Sequence, residues 1–129
     1  MPIAHESSLK FKEISYLHSE SYPSGELKHG PLALIDKNIP SILLAPNDLM
    51  FEKNISSIQE IKARNGKVLT ISDKDIPNSD WNIVLPSTID EIYPFLTVVV
   101  GQLLSYHVAN LLGKDIDKPR NLAKSVTVK

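Results

Sequence analysis

Three short apolar runs limit what this chain can fold into. Ser41-Ile42-Leu43-Leu44-Ala45, Lys67-Val68-Leu69-Thr70-Ile71-Ser72 and Trp81-Asn82-Ile83-Val84-Leu85 are each long enough for a strand and too short for a helix. Such runs suit strands buried on both faces, as in a parallel sheet. Between the first two, Leu49 to Asn65 reads as a helix, with Met50, Ile55, Ile58 and Ile61 among its apolar positions and Asn65-Gly66 as its stop. Pro46-Asn47-Asp48 closes the first run and offers an N-cap to that helix. Asp73 to Asp80 is a polar loop. Strands alternating with helices predict an α/β domain with a parallel sheet flanked by helices. A three-stranded parallel sheet needs both faces covered and this chain opens directly on a helix, so something further is expected before residue 1.

Two more helices complete the expectation. Glu91 to Leu112 is nearly apolar from Phe95 onward, with Pro94 in its first turn and Gly113 at its end. A membrane span has to be weighed here. Gln102, Ser105, Tyr106, His107 and Asn110 interrupt the run and no basic cluster flanks it, so a core helix packed on more than one side is expected instead. The other helix is Glu6 to Ser19. At about 100° per residue, Ser8, Lys12, Ser15 and Ser19 share one face, which reads as the solvent side. Glu6, Lys10, Glu13 and Leu17 lie opposite, flanked by Leu9, Ile14 and Tyr16. A carboxylate–ammonium–carboxylate stripe therefore sits where burial is expected. One reading is an ion ladder on the helix surface, since the spacings are i,i+4 and i,i+3. The other is a polar pocket in which burial and charge tune a carboxylate for proton transfer. Spacing alone leaves both open. Tyr22-Pro23-Ser24-Gly25 breaks the pattern after this helix, Glu26 to Pro31 reads as a turn, and Leu32 to Ile35 is too short to classify.

Composition excludes several function classes. A chain of 129 residues suits one domain with a real core. A net charge of −1 leaves no electrostatic footprint for nucleic acid or an anionic membrane. There is no cysteine, which removes thiolate catalysis, thiolate metal sites and disulfides, and fits a cytoplasmic protein. No basic segment followed by an apolar run opens the sequence, so no secretory signal is expected. His5, His18 and His107 show no metal-ligand spacing, and neither Pro46-Asn47-Asp48 nor Ser72-Asp73-Lys74-Asp75 is a Gly-rich phosphate loop. Neither a metal nor a cofactor is expected.

Three segments carry a more specific signal: Glu13-Ile14-Ser15, Gly25-Glu26-Leu27-Lys28-His29-Gly30-Pro31-Leu32-Ala33-Leu34-Ile35-Asp36, and Lys118-Pro119-Arg120-Asn121-Leu122-Ala123-Lys124-Ser125-Val126-Thr127-Val128. In this order they closely resemble the isomerase end of the glucosamine-6-phosphate synthase family, the isomerizing glutamine–fructose-6-phosphate aminotransferases. The resemblance runs over essentially the whole chain. It implies the second of two sugar isomerase (SIS) domains, a Rossmann-like fold here lacking its first strand, with residues 1–113 as the partial domain and 114–129 as a catalytic tail.

The resemblance also implies roles for single residues. Lys124 matches the lysine that forms a Schiff base with C2 of open-chain fructose 6-phosphate. Glu13 matches the glutamate that moves a proton between C1 and C2, and Lys10 a lysine assisting at the sugar hydroxyls. His29 matches a histidine linked to ring opening, which the family supplies from the neighbouring subunit of a dimer. Ala123 matches a residue whose backbone contacts the sugar. This fits the chemistry of the stripe, because an aldose–ketose isomerisation needs one base over two adjacent carbons. A lysine that attacks a carbonyl must also be partly neutral.

The departures bound the expectation. The glutaminase domain, the first SIS domain with its phosphate-binding loop, and the Leu-Gly-Arg-Gly strand that precedes the match to Pro2-Ile3-Ala4 are all absent. Ser7-Ser8 stands where the family has Gly-Ala. Three accounts follow: part of an aminotransferase that acts with partner domains on fructose 6-phosphate to give glucosamine 6-phosphate; a non-catalytic sugar-phosphate-binding or interaction module; or a homo-oligomer that rebuilds the site. The first is the expected one, with little or no turnover by the chain alone. Bare edges and apolar faces are expected to drive self-association.

Overall fold

The computed structural model describes residues 1–122. Helix α1 (Pro2–Ser15) is followed by two short 3-10 helices (Ser24–His29 and Pro31–Leu34). Then come strand β1 (Pro40–Leu44), helix α2 (Phe51–Lys62), strands β2 (Lys67–Ser72) and β3 (Trp81–Val84), and helix α3 (Tyr93–Leu111). These residues group into two compact units. Tyr22–Thr97 form one with Met1; Pro2–Ser21 and the chain from Val98 onward form the other.

The first unit is built on the parallel sheet that the three apolar runs predict, in the order β1-β2-β3. Pro40 pairs with Lys67 through to Leu44 with Ile71, and Leu69 pairs with Trp81 through to Ser72 with Val84. Central β2 is the most deeply buried, with Val68, Thr70, Ile71 and Ser72 inaccessible to solvent. Leu43, Ala45 and Val68 join Ile58 and Ile61 of α2 and Ile76 in one core, against which Leu27, Leu32 and Ile35 lean. Burying a side chain such as Ile58 or Val68 contributes roughly 1.5–3 kcal/mol relative to leaving it exposed. On the opposite pleat, Ile42 and Trp81 remain about half exposed.

The helix boundaries depart from the sequence expectation for local reasons. Helix α2 starts at Phe51, not Leu49, because Asp48 first closes a turn: its carboxylate accepts the Met50 N–H at 2.8 Å and its carbonyl the Phe51 N–H at 3.1 Å. Its stop uses Asn65, at φ 60°, as the left-handed residue. Asn65 N–H bonds Lys62 O and Gly66 N–H bonds Ile61 O, a Schellman ending. Gly66 serves packing instead: a Cβ there would lie 2.5 Å from Ile61 Cγ2 and 2.6 Å from Ile35 Cγ2. The segment expected as a turn at Glu26–Pro31 forms 3-10 helix on both sides of Gly30, whose φ of 148° suits glycine.

Asp80 closes the loop before β3. Its carboxylate accepts Lys62 Nζ at 2.7 Å, the Val68 N–H at 2.8 Å and Lys67 Nζ at 3.1 Å. Its side chain is 14% exposed. The Lys62 hydrogen bond, then that of Val68, hold the carboxyl well below the usual carboxylate range.

In the second unit, α1 runs Pro2–Ser15 rather than Glu6–Ser19. Proline at Pro2 suits a first helical turn. The earlier end changes which faces are covered. Beyond Tyr16 the chain folds back along α1: Ser8 Oγ donates to Ser19 O at 3.0 Å, Ser19 Oγ to Ser8 O at 2.9 Å, and Ser21 Oγ meets His5 Nδ1 at 2.6 Å. The serine face expected in solvent is thus lined by protein. Ser15 is buried, donating to Phe11 O and accepting the Leu17 N–H, while Leu9 and Leu17 are each 44% exposed.

Helix α3 ends as expected at Gly113, with Gly113 N–H on Asn110 O and Lys114 N–H on Ala109 O. It is long and apolar enough by length and composition to cross a membrane. The sequence expectation of packing on more than one side is not met. One stripe of small residues, Thr97, Gly101, Ser105 and Ala109, is buried at a spacing of four, whereas Phe95, Val99, Leu103 and Leu111 stand exposed. In the second unit Ser7 fills the space that a side chain on Gly101 would need; a Cβ there would sit 2.2 Å from Ser7 Oγ and 2.8 Å from Ser7 Cβ.

Candidate functional site

The second half of α1 presents the charged stripe. Lys10 Nζ donates to Glu13 Oε2 at 2.7 Å and lies 3.8 Å from Glu6 Oε1. The stripe is neither fully buried nor a free surface ladder: the side chains of Glu13, Lys10 and Glu6 are 26%, 38% and 42% exposed. The hydrogen bond to Glu13 raises the pKa of Lys10, partial burial opposes the rise, and the charges of Glu13 and Glu6 add to it. Lys10 is therefore a fixed cation at neutral pH, not a nucleophile. An ion pair this exposed contributes only about 0–1 kcal/mol to folding.

Glu13 opens onto a hollow of about 320 Å³ lined by Lys12, Glu13, Tyr16, Arg120, Asn121 and Leu122. Two contacts bring Arg120 to this place. The Tyr16 hydroxyl accepts the Arg120 N–H at 2.9 Å, and the Arg120 guanidinium lies 4.3 Å from the centre of the Tyr16 ring. Lys114 Nζ approaches the same ring at 5.6 Å. A carboxylate, the cationic side chains of Lys12 and Arg120, and a backbone segment thus line one opening, an arrangement able to attract an anion and to move a proton.

Of the residues singled out from sequence, Lys10 and Glu13 are brought together. His29 lies in the other unit, exposed at the end of the Ser24–His29 helix, with no side-chain hydrogen bond among the described residues. Ala123 and Lys124 lie outside the described residues. No group of three or more His, Asp or Glu able to hold a metal occurs among the described residues. In the first unit, where α/β ligand sites usually lie, Asp73 accepts the Asn47 N–H at 2.9 Å. The Tyr93 hydroxyl is pushed up to about 12 by burial, with Asp73 and Asp48 adding to it. Sequence reasoning did not single out Lys12, Tyr16 and Arg120 as lining this hollow. Lys12 is exposed, as its place on the solvent face predicts, whereas Tyr16 was placed inside a longer helix. The one available signal was Arg120 within the tail motif.

A family model describing the SIS domain matches residues 1–112. The chain belongs to the SIS domain family. This SIS chain is 50% identical over 131 aligned residues to "Glutamine--fructose-6-phosphate aminotransferase [isomerizing]" of Thermus thermophilus, covering 98% of the chain and 22% of that protein. It is 53% identical to the protein of the same name from Francisella tularensis, again over 98% of the chain and 22% of the relative. A solved structure described as the C-terminal domain of glucosamine-fructose-6-phosphate aminotransferase from Francisella tularensis superposes with a TM-score of 0.84 at 46% identity. It covers 91% of this chain and 34% of that one. The SIS chain therefore spans about a fifth of the length of the curated relatives it matches.

Proposed function

We propose that this chain is the C-terminal SIS part of an isomerizing glutamine–fructose-6-phosphate aminotransferase. Its residues would serve the conversion of fructose 6-phosphate and glutamine-derived ammonia to glucosamine 6-phosphate. The observation that carries the reading is Glu13, held by Lys10 at 2.7 Å and opening onto a hollow that Arg120, Asn121 and Leu122 also line. In this reading the Lys124 amine attacks the C2 carbonyl of the open-chain sugar and water leaves as the Schiff base forms. Ammonia then displaces the lysine. Glu13 takes a proton from C1 and returns it at C2, giving the 2-amino aldose. One carboxylate can do both because the carbons are adjacent. Lys10, held as a cation, steadies the Glu13 carboxylate and faces the sugar hydroxyls.

His29 serves ring opening from a neighbouring subunit, the Ala123 backbone touches the sugar, and residues 114–129 act as the catalytic tail. The relatives' greater length supports a site completed by further domains, the first SIS domain and a glutaminase among them. The test is formation of glucosamine 6-phosphate from fructose 6-phosphate and ammonia, by the chain alone and joined to the first SIS domain of a relative. Turnover only in the joined protein, abolished by Glu13→Gln and by Lys124→Ala, is the expected result. Binding without turnover in the joined protein would leave a non-catalytic sugar-phosphate module.

A further inference from the structure

Glu60 of α2 is an awkward place for a charge. Its side chain is 22% exposed, and Oε1 lies 2.8 Å from Lys28 Nζ. The other oxygen, Oε2, is buried with no hydrogen-bond partner among the described residues. Burying a carboxylate oxygen unpartnered is unfavourable, and an apolar side chain of similar size would avoid that cost. A native group in this condition calls for an explanation. Its use lies in where Lys28 sits. Lys28 precedes His29, the last residue of the 3-10 helix Ser24–His29. At three residues per turn, Ser24 and Leu27 share one side of that helix, with Lys28 and His29 on its two flanks. Burial follows that period: Ser24 and Leu27 are partly covered, Lys28 and His29 exposed. Ser24 Oγ donates to Asn54 Oδ1 of α2 at 2.6 Å, and Leu27 leans on the core that α2 helps to form. A 3-10 helix this short has poor hydrogen bonds of its own, and apolar contact at Leu27 has no direction. Two polar contacts to α2 bracket it instead: Asn54 takes its first residue and Glu60 the one beside His29.

We propose that Glu60 is a positioning residue: through Lys28 it fixes the end of the Ser24–His29 helix, and so the direction in which His29 is presented. The inference rests on the reading of His29 given above. Opening a furanose breaks the C2–O5 bond, takes a proton from the C2 hydroxyl and returns one to O5, leaving the C2 ketone. An imidazole makes such transfers only within hydrogen-bond reach of the oxygen concerned, so a small turn of the helix end puts it out of play. The pair adds little to folding, because Lys28 is 66% exposed. Its contribution is to direction.

Glu60→Leu removes the unpartnered charge and frees Lys28; Glu60→Gln keeps an oxygen to which Lys28 can donate. In the full 129-residue chain, amide exchange over residues 26–29 reports how firmly the helix end is held, with no substrate present. In the chain joined to the first SIS domain of a relative, turnover is compared on fructose 6-phosphate and on 5-deoxyfructose 6-phosphate, which lacks O5 and stays open. Glu60→Leu is expected to speed exchange about three- to fivefold and to leave the melting temperature unchanged or higher. It should lower kcat/KM on fructose 6-phosphate about tenfold while sparing the open analogue. Glu60→Gln should stay close to the parent in both measurements. His29→Ala should show the same selectivity, more strongly. Unchanged exchange in Glu60→Leu would overturn the proposal, and so would faster exchange with equal losses on the two substrates, or with none on either. If His29→Ala loses equally on both, or the joined wild-type protein turns over neither, the His29 reading fails and the inference with it. The exchange rates then still show separately whether Glu60 holds the helix end.

Discussion

At the scale of single residues, two carboxylates contrast usefully. Asp80 has every oxygen engaged by a lysine or a backbone N–H, and its work is structural. Its folded pKa lies below the unfolded one, so the stability it adds is full above the unfolded value, about 3.9, and is lost as pH falls through the folded value. Asp80→Asn should therefore lower thermal stability at pH 7 and flatten the acid limb of the stability curve. Parallel curves for variant and parent would refute that assignment. Glu13 has one lysine partner and opens onto the hollow. In the chain joined to the first SIS domain of a relative, Glu13→Gln should reduce kcat by about 10²–10⁴-fold, the range of a lost proton-transfer group, with little change in KM. Lys10→Met should change folding stability by no more than about 1 kcal/mol, because the pair is partly exposed, yet lower kcat. A Lys10→Met protein with parental kcat would make the stripe an ion ladder and nothing more.

At the scale of elements, the sheet was legible because its signal is local. Runs such as Ser41–Ala45 and Lys67–Ser72 are apolar in succession, and polar segments bound them, so strand identity and parallel pairing follow. The helix faces were less legible, because burial depends on chain that returns from elsewhere. The wheel assigned Ser15 to solvent, but residues 16–21 fold back over the serine face; it assigned Leu17 to the buried side, but the helix stops before it. Lys10 and Glu13 could be paired from their spacing alone, whereas the Tyr16–Arg120 contact joins residues that no periodicity relates. The same non-local logic governs Gly101, whose neighbour Ser7 is invisible to any pattern within α3. Gly101→Ala should destabilise the Pro2–Ser21 and Val98–Leu122 unit by about 1–3 kcal/mol through overpacking. Adding Ser7→Gly should recover most of the loss, beyond the sum of the separate effects. Strict additivity in urea unfolding would argue against the contact.

At the scale of the whole molecule, apolar surface remains on both the sheet and the long helix. Trp81, Val84, Phe95, Val99 and Leu111 are each about half exposed or more. Patches of this kind seek cover, so the chain alone should self-associate at micromolar concentration, and sedimentation velocity should find species above the monomer. A clean monomer would count against that. The central proposal is chemical: Lys124 and Glu13 of α1 would serve one sugar phosphate. Its most direct test is borohydride reduction in the presence of fructose 6-phosphate, followed by mass spectrometry of the peptide holding Lys124, in the chain joined to the first SIS domain of a relative. A sugar adduct on Lys124, absent in Lys124→Ala and still formed in Glu13→Gln, is the predicted result, because the role proposed for the glutamate comes after the proposed Schiff base. No adduct on Lys124 in the joined protein, or an adduct on another lysine, would contradict the account.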